Sequence, residues 1–202
     1  MFWQSNLIYP FCFCNIRLYS GYNEKYLWVI LFWINDEIYD IFENMAQIYV
    51  YSGPTHSGKT TRLENWIKKN EGVDGILMPV INNQRYVKSI SSGKMLKLET
   101  DSNDHDLVQI IGKYKFRSEV FEHIQHYLLG LIDKNVKWII VDEIGFLELN
   151  DQGFEPAVSQ LIQKLETKQD VNLLLVIRDY LKEKVIDYYK LNGDSIKNFK
   201  PE

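Results

Sequence analysis

The sequence predicts an α/β protein: a mostly parallel sheet with helices on both faces, a small β-hairpin insertion and an aromatic segment in front. Three observations carry this. Apolar runs alternate with amphipathic stretches along most of the chain, the pattern of buried strands joined by crossover helices. A glycine-containing segment, Gly53–Thr60, separates the first such run from the first amphipathic stretch. A later apolar run, Trp138–Val141, ends in Asp142-Glu143.

The elements follow in order. Gln47–Ser52 is short, apolar and aromatic, and reads as a buried strand. From Lys59 to about Asn70, Leu63, Trp66 and Ile67 share one helical face, and Glu71-Gly72 stops the helix. Gly75–Ile81 reads as a second strand, with a turn at Asn82-Asn83. Arg85–Ile90 and Met95–Leu98 alternate like hairpin strands around Ser91-Ser92-Gly93. Residues 101–106 are polar and acidic, hence a loop. Ser118 is expected to cap a helix running to about Asp133, with Val120, Phe121, Ile124, Leu128, Leu129 and Leu131 as its apolar positions. After the Trp138–Val141 strand, Phe154 to about Lys168 is a helix with Val158, Leu161, Ile162 and Leu165 on one face. Val171–Ile177 is a further buried strand, Leu181–Leu191 a last helix, and a polar tail follows.

Composition divides the chain near Met45. Thirteen aromatic residues and both cysteines, Cys12 and Cys14, lie in the first 44 positions. Residues 1–44 carry a net charge of −3 and residues 45–202 a net charge of −1. Two domains are therefore expected: an N-terminal extension, 1–44, and a compact domain, 45–202. The extension reads as an upstream segment from an early start codon, or as a helical addition. No strong basic field favours nucleic acid, so no nucleic-acid partner is expected. Two cysteines separated by Phe13 support neither a disulfide framework nor a zinc site, which fits a reducing, cytoplasmic setting. The longest apolar run, Leu27–Ile34, has eight residues, where a span needs about 20. No membrane partner is expected, although Trp28 and Trp33 leave an interfacial role open for 26–34.

The chemistry concentrates in Gly53-Pro54-Thr55-His56-Ser57-Gly58-Lys59-Thr60, a gapless match to G-x-x-x-x-G-K-[ST]. Its glycines let successive backbone N–H groups converge on phosphate oxygens, and the following helix aims its positive end at the anion. Lys59 is placed to neutralise the β- and γ-phosphates, and the Thr60 hydroxyl to ligate Mg²⁺. Thr61 opens the helix beside them, and His56 is either a phosphate contact or an exposed filler.

The second half of the site is the acidic strand end. Ligands of open α/β sheets bind beyond the carboxyl ends of strands, where Asp142 can hold Mg²⁺ through water. Glu143 points differently and can orient or deprotonate the attacking water. Glu148 either orients the metal shell or is an exposed loop carboxylate. Phosphoryl transfer spreads negative charge, so an arginine helps. Arg178, after the Val171–Ile177 strand, is the first candidate, ahead of Arg85 in the hairpin insertion, Arg117 and Arg62. His123 and His126 lie three apart on a helix without a third ligand, and read as a solvated face.

With both halves in hand, residues 46–191 resemble the small P-loop nucleoside-triphosphatases typified by thermophile enzymes and a human cancer-related nucleoside-triphosphatase. The resemblance rests on Gly53–Thr61, on Asp142-Glu143-Ile144-Gly145 with Glu148-Leu149, and on Val176-Ile177-Arg178-Asp179. Gly75–Pro79, Arg85 and Ser92-Gly93 look like the family's middle segment. The phosphate loop departs from the family in carrying Thr55-His56-Ser57 where Pro-Gly is frequent. The resemblance implies a RecA-like P-loop fold and Mg²⁺-dependent hydrolysis of ATP or GTP with loose base preference. Three functions compete on the residues alone. Glu143 beside Asp142 favours a hydrolase. The same motifs permit a nucleotide or small-molecule kinase, with residues 82–117 as an acceptor lid. A non-catalytic nucleotide switch would bind without turnover.

Overall fold

The computed structural model describes residues 46–101, 107–165, 167–168, 170–191 and 196–201. The expected extension, 1–44, with Cys12, Cys14, Trp28 and Trp33, lies outside them, as does nearly all of the acidic loop after Asp101.

The alternation of apolar runs and helices gives the expected mixed sheet. Five strands run parallel: β1 (Ile48–Gly53), β2 (Val73–Leu77), β8 (Trp138–Ile144), β9 (Asn172–Arg178) and β10 (Ile196–Asn198). The insertion supplies β3 (Val80–Ile81), β4 (Gln84–Ser89) and β5 (Met95–Lys97), and a separate hairpin of β6 (Val108–Ile111) and β7 (Tyr114–Arg117). The main sheet is ordered β10-β1-β9-β8-β2-β4-β3, with β5 on β4 and only β2–β4 and its neighbours antiparallel. β9 thus lies between β1 and β8, so the phosphate-loop strand and the acidic strand are not neighbours.

Side chains alternate across each strand, and each face packs its own helices. One face buries Val50, Ile139, Val141, Leu173 and Leu175. Against them pack α2 (Ser118–Gly130) through Phe121 and Leu128, α3 (Ala157–Leu165) through Leu161, and α4 (Lys182–Tyr188) through Val185. The other face buries Tyr51, Ile140, Leu174 and Val176 against Leu63 of α1 (Lys59–Ile67) and against Phe199. Here Phe199 meets Trp66 edge-on at 5.1 Å between ring centroids, and Trp138 at 5.7 Å.

Several elements differ from expectation for local reasons. The expected strand Gly75–Ile81 breaks at Met78-Pro79, because proline has no N–H to give a ladder. Val80–Ile81 then turns back onto β4 through Asn82 and Asn83, both at positive φ (50° and 61°). Ser118 starts α2 but does not cap it: Arg117 is the cap residue, and no side chain caps the helix. The acidic strand continues through Asp142 and Glu143 to Ile144, because β9 still pairs there, with Glu143 the extra residue of a bulge. α3 starts only at Ala157, after a turn containing Pro156. Leu181 belongs to a 3₁₀ turn, Asp179–Leu181, before α4. The hairpin β6–β7 and the strand β10 were not foreseen.

Candidate functional site

Three strand ends meet on one side of the sheet. Gly53, the last residue of β1, pairs with Arg178, the last of β9. Asp142 of β8 pairs with Val176 of β9. Arg178 therefore sits between the glycine-containing loop and the acidic pair.

The loop Gly53–Thr60 folds as a turn closed by Ser57 N–H donating to the Pro54 carbonyl at 3.3 Å. His56 and Gly58 both take positive φ, 60° and 78°. Gly58 is the cap residue of α1, and neither a capping side chain nor an acidic residue occupies the first turn. The first N–H groups of α1 are thus left for an external anion. The side chain of Lys59 is buried and lies back across the loop, donating to the Gly53 carbonyl at 2.8 Å and the Pro54 carbonyl at 2.9 Å. The Ser57 hydroxyl is buried with no hydrogen-bond partner among the described residues. An orphaned donor inside an anion loop fits a phosphate oxygen.

Across the sheet, Thr60 Oγ1 donates to Asp142 Oδ2 at 2.8 Å, joining residues 82 positions apart. The Met78 N–H donates to the same carboxylate oxygen at 3.3 Å. Asp142 is 1% exposed, and this burial pushes its carboxyl from the usual 3.8 to about 6, against the lowering effect of Thr60. Two hard oxygen donors in contact fit Mg²⁺, which takes one or two protein oxygens and completes its shell with phosphate and water. Among the described residues no group of three His, Cys, Asp or Glu side chains converges as a metal cage, and His123 and His126 are exposed on α2.

Glu143 is held by Arg178, whose Nε and Nη2 both donate to Glu143 Oε1. The pair is partly exposed, at 26% for Arg178 and 19% for Glu143, and it faces a cavity of about 300 Å³. Thr55–Thr61 form one wall of this cavity, and Met78-Pro79-Val80 and Arg85 another. Arg85 thus reaches the site. It donates to Glu99 at 2.5 Å, and its guanidinium lies 4.2 Å from the ring centre of Tyr114. Arg62 is exposed on α1, and Arg117 pairs with Glu119 at 3.4 Å; neither lines the cavity.

Glu148 is not the exposed loop carboxylate that was one of its two expected roles. It is 3% exposed and accepts from the Gly145 N–H at 2.8 Å and the Phe154 N–H at 3.0 Å, pinning the segment after β8 to the turn before α3. Burial raises its carboxyl from 4.5 to about 7, despite the two backbone donors. The Met78 amide is the contact that sequence reasoning missed. Its one signal is Pro79, which ends β2 and leaves the preceding N–H to point elsewhere.

A phosphate loop on β1, an acidic strand end on β8 and a parallel sheet between them define the P-loop nucleotide-binding fold. The chain belongs to the NTPase family, whose profile matches residues 48–199. Its structure is similar to the crystal structure of THEP1 from the hyperthermophile Aquifex aeolicus. The TM-score is 0.57 and the identity 17%, over 76% of this chain and 89% of that one. No curated protein matches the sequence.

Proposed function

We propose that the protein binds nucleoside triphosphates with Mg²⁺ and hydrolyses them to the diphosphate and phosphate, with loose base preference. The observation that carries this is the Thr60–Asp142 contact beside the buried Lys59, with Glu143 and Arg178 on the same cavity. When bound, Mg²⁺ supplies Lewis-acid neutralisation of phosphate charge. Thr60 and Asp142 hold it. The loop amides and Lys59 bind the phosphates, and Lys59 exchanges its two carbonyl partners for phosphate oxygens. Arg178 stabilises charge on the transferring group. As it turns toward phosphate it leaves Glu143 free to accept a proton from water.

The test is phosphate release from ATP and GTP with Mg²⁺. Lys59→Ala is expected to abolish it, and release unchanged by that substitution defeats the proposal. A second reading, transfer to an acceptor other than water, is favoured by one observation: a second cavity adjoins the first and shares Glu143 and Arg178 with it.

A further inference from the structure

We propose that this second cavity is a binding pocket for a small, ring-bearing alcohol that takes the terminal phosphoryl group. The inference rests on the nucleotide reading of the Gly53–Thr60 loop. The cavity measures about 240 Å³, against the ~30 Å³ that one water occupies in the liquid. It is far larger than the voids left inside a packed core. A hydrolase needs room for one attacking water at this place.

Position argues for an acceptor rather than the nucleoside. Met78, Arg85, Glu143 and Arg178 line both this cavity and the one over the phosphate loop. The phosphate that reacts is the one that faces Glu143 and Arg178. The rest of the nucleotide then lies along the Thr55–Thr61 wall, which borders the first cavity and not the second, so the adjoining space belongs to whatever attacks.

Composition identifies the occupant's chemistry. The walls are Leu98, Phe116, Phe121, Leu147 and Phe154, all buried. The hairpin β6–β7 closes the cavity from outside with Ile111 and Tyr114. The buried and half-buried charged groups at its edge already have partners: Arg85 pairs with Glu99, Arg178 with Glu143, and Glu148 with two backbone N–H groups, while Lys113 stands exposed at the rim beside the Tyr114 ring. No unpaired buried charge calls for an ionic body, so a neutral, flat, apolar one fits. Its hydroxyl belongs at the Glu143 end. There the hydroxyl oxygen bonds to the terminal phosphorus while the bond from that phosphorus to the bridging oxygen breaks. The diphosphate leaves with that electron pair, and the hydroxyl proton passes to Glu143 and then to water.

The experiment uses the full chain with Mg²⁺, ATP and, in turn, benzyl alcohol, uridine and glycerol, with products read by ³¹P NMR. Benzyl alcohol is expected to give benzyl phosphate, in about tenfold or greater excess over any glycerol phosphate. Binding is read separately by saturation-transfer NMR of benzyl alcohol on the Lys59→Ala protein, which needs no turnover. Ile111→Trp, filling the cavity, is expected to remove both the phosphoester and the saturation signal, while Ile110→Trp, on the exposed face of the same strand and outside the lining, keeps them. Orthophosphate as the sole product with benzyl alcohol and with uridine overturns the acceptor role. Absence of a saturation signal, or one untouched by Ile111→Trp, overturns the pocket. Benzyl alcohol bound at this pocket in a protein that releases no phosphate from ATP defeats the hydrolase reading and leaves the pocket standing.

Discussion

Glu143 and Arg178 neutralise one another at the mouth of two cavities, and this pairing shapes what a single substitution does there. Glu143→Gln keeps a hydrogen-bonding partner for Arg178 but cannot take a proton. Phosphate release is expected to fall by about 10²–10⁴ while nucleotide binding, read by fluorescence titration, persists. Arg178→Ala strips the charge donor as well and is expected to cost about 10²–10³ in turnover. Glu148 governs stability instead. Its carboxyl rises from 4.5 to about 7 on burial, so the folded state holds a proton that the unfolded state has released. Its contribution is fully present below pH 4.5 and is lost as pH rises to about 7. Urea midpoints measured across that interval are expected to fall with pH. Glu148→Gln removes this residue's part of the slope, because its amide does not titrate, and leaves the part due to Asp142, whose carboxyl is raised from 3.8 to about 6. It also sets an NH₂ against a backbone N–H, at a cost of about 1–3 kcal/mol.

Elements were legible in proportion to their length and periodicity. The runs that became β1, β8 and β9 are continuously apolar, and the faces of α2 and α3 repeat at helical spacing, so their existence followed from the sequence. The loop and the acidic pair were legible because each is local. Thr60, in the first turn of α1, and Asp142, at the end of β8, meet across the interposed β9. The hairpin β6–β7 escaped notice although Gly112-Lys113 separates Ile111 from Tyr114, a two-residue Gly-X turn with φ 56° at the glycine. β10 has three residues, too few for any period, and owes its state to pairing with β1. The burial of Glu148 is not legible in the sequence, because its partners are backbone amides that a residue pattern does not display. Gly75 makes a sharp test of one pairing. It sits at φ 126° beside Ile140, and an added Cβ would lie 2.1 Å from the Ile140 carbonyl oxygen. Both groups are backbone and cannot turn aside. Gly75→Ala is expected to cost about 3 kcal/mol or more in urea unfolding.

At the scale of the molecule, we propose that residues 45–202 are self-sufficient. They carry every residue of the candidate site and bury both faces of the sheet with their own helices and aromatic rings. A protein starting at Met45 is expected to be soluble and to release phosphate from ATP at the rate of the full chain; an insoluble or inactive product overturns this. Phe199→Ala is expected to destabilise it by about 3–5 kcal/mol in urea, since this one ring joins Tyr49, Tyr51, Trp66 and Trp138 on the face that α1 covers.

The interposed strand also has a consequence for biosynthesis. The two neighbours of β1 are β9 and β10, whose residues lie more than 100 positions later. On the ribosome the phosphate-binding strand therefore emerges early with both edges open, and it finds no permanent partner until the last quarter of the chain has been made. Open apolar edges invite pairing with other nascent chains. Translation arrested before Asn172 would release a polypeptide holding the entire Gly53–Thr60 loop yet lacking either strand that closes it, a candidate for rapid clearance by chaperones and proteases.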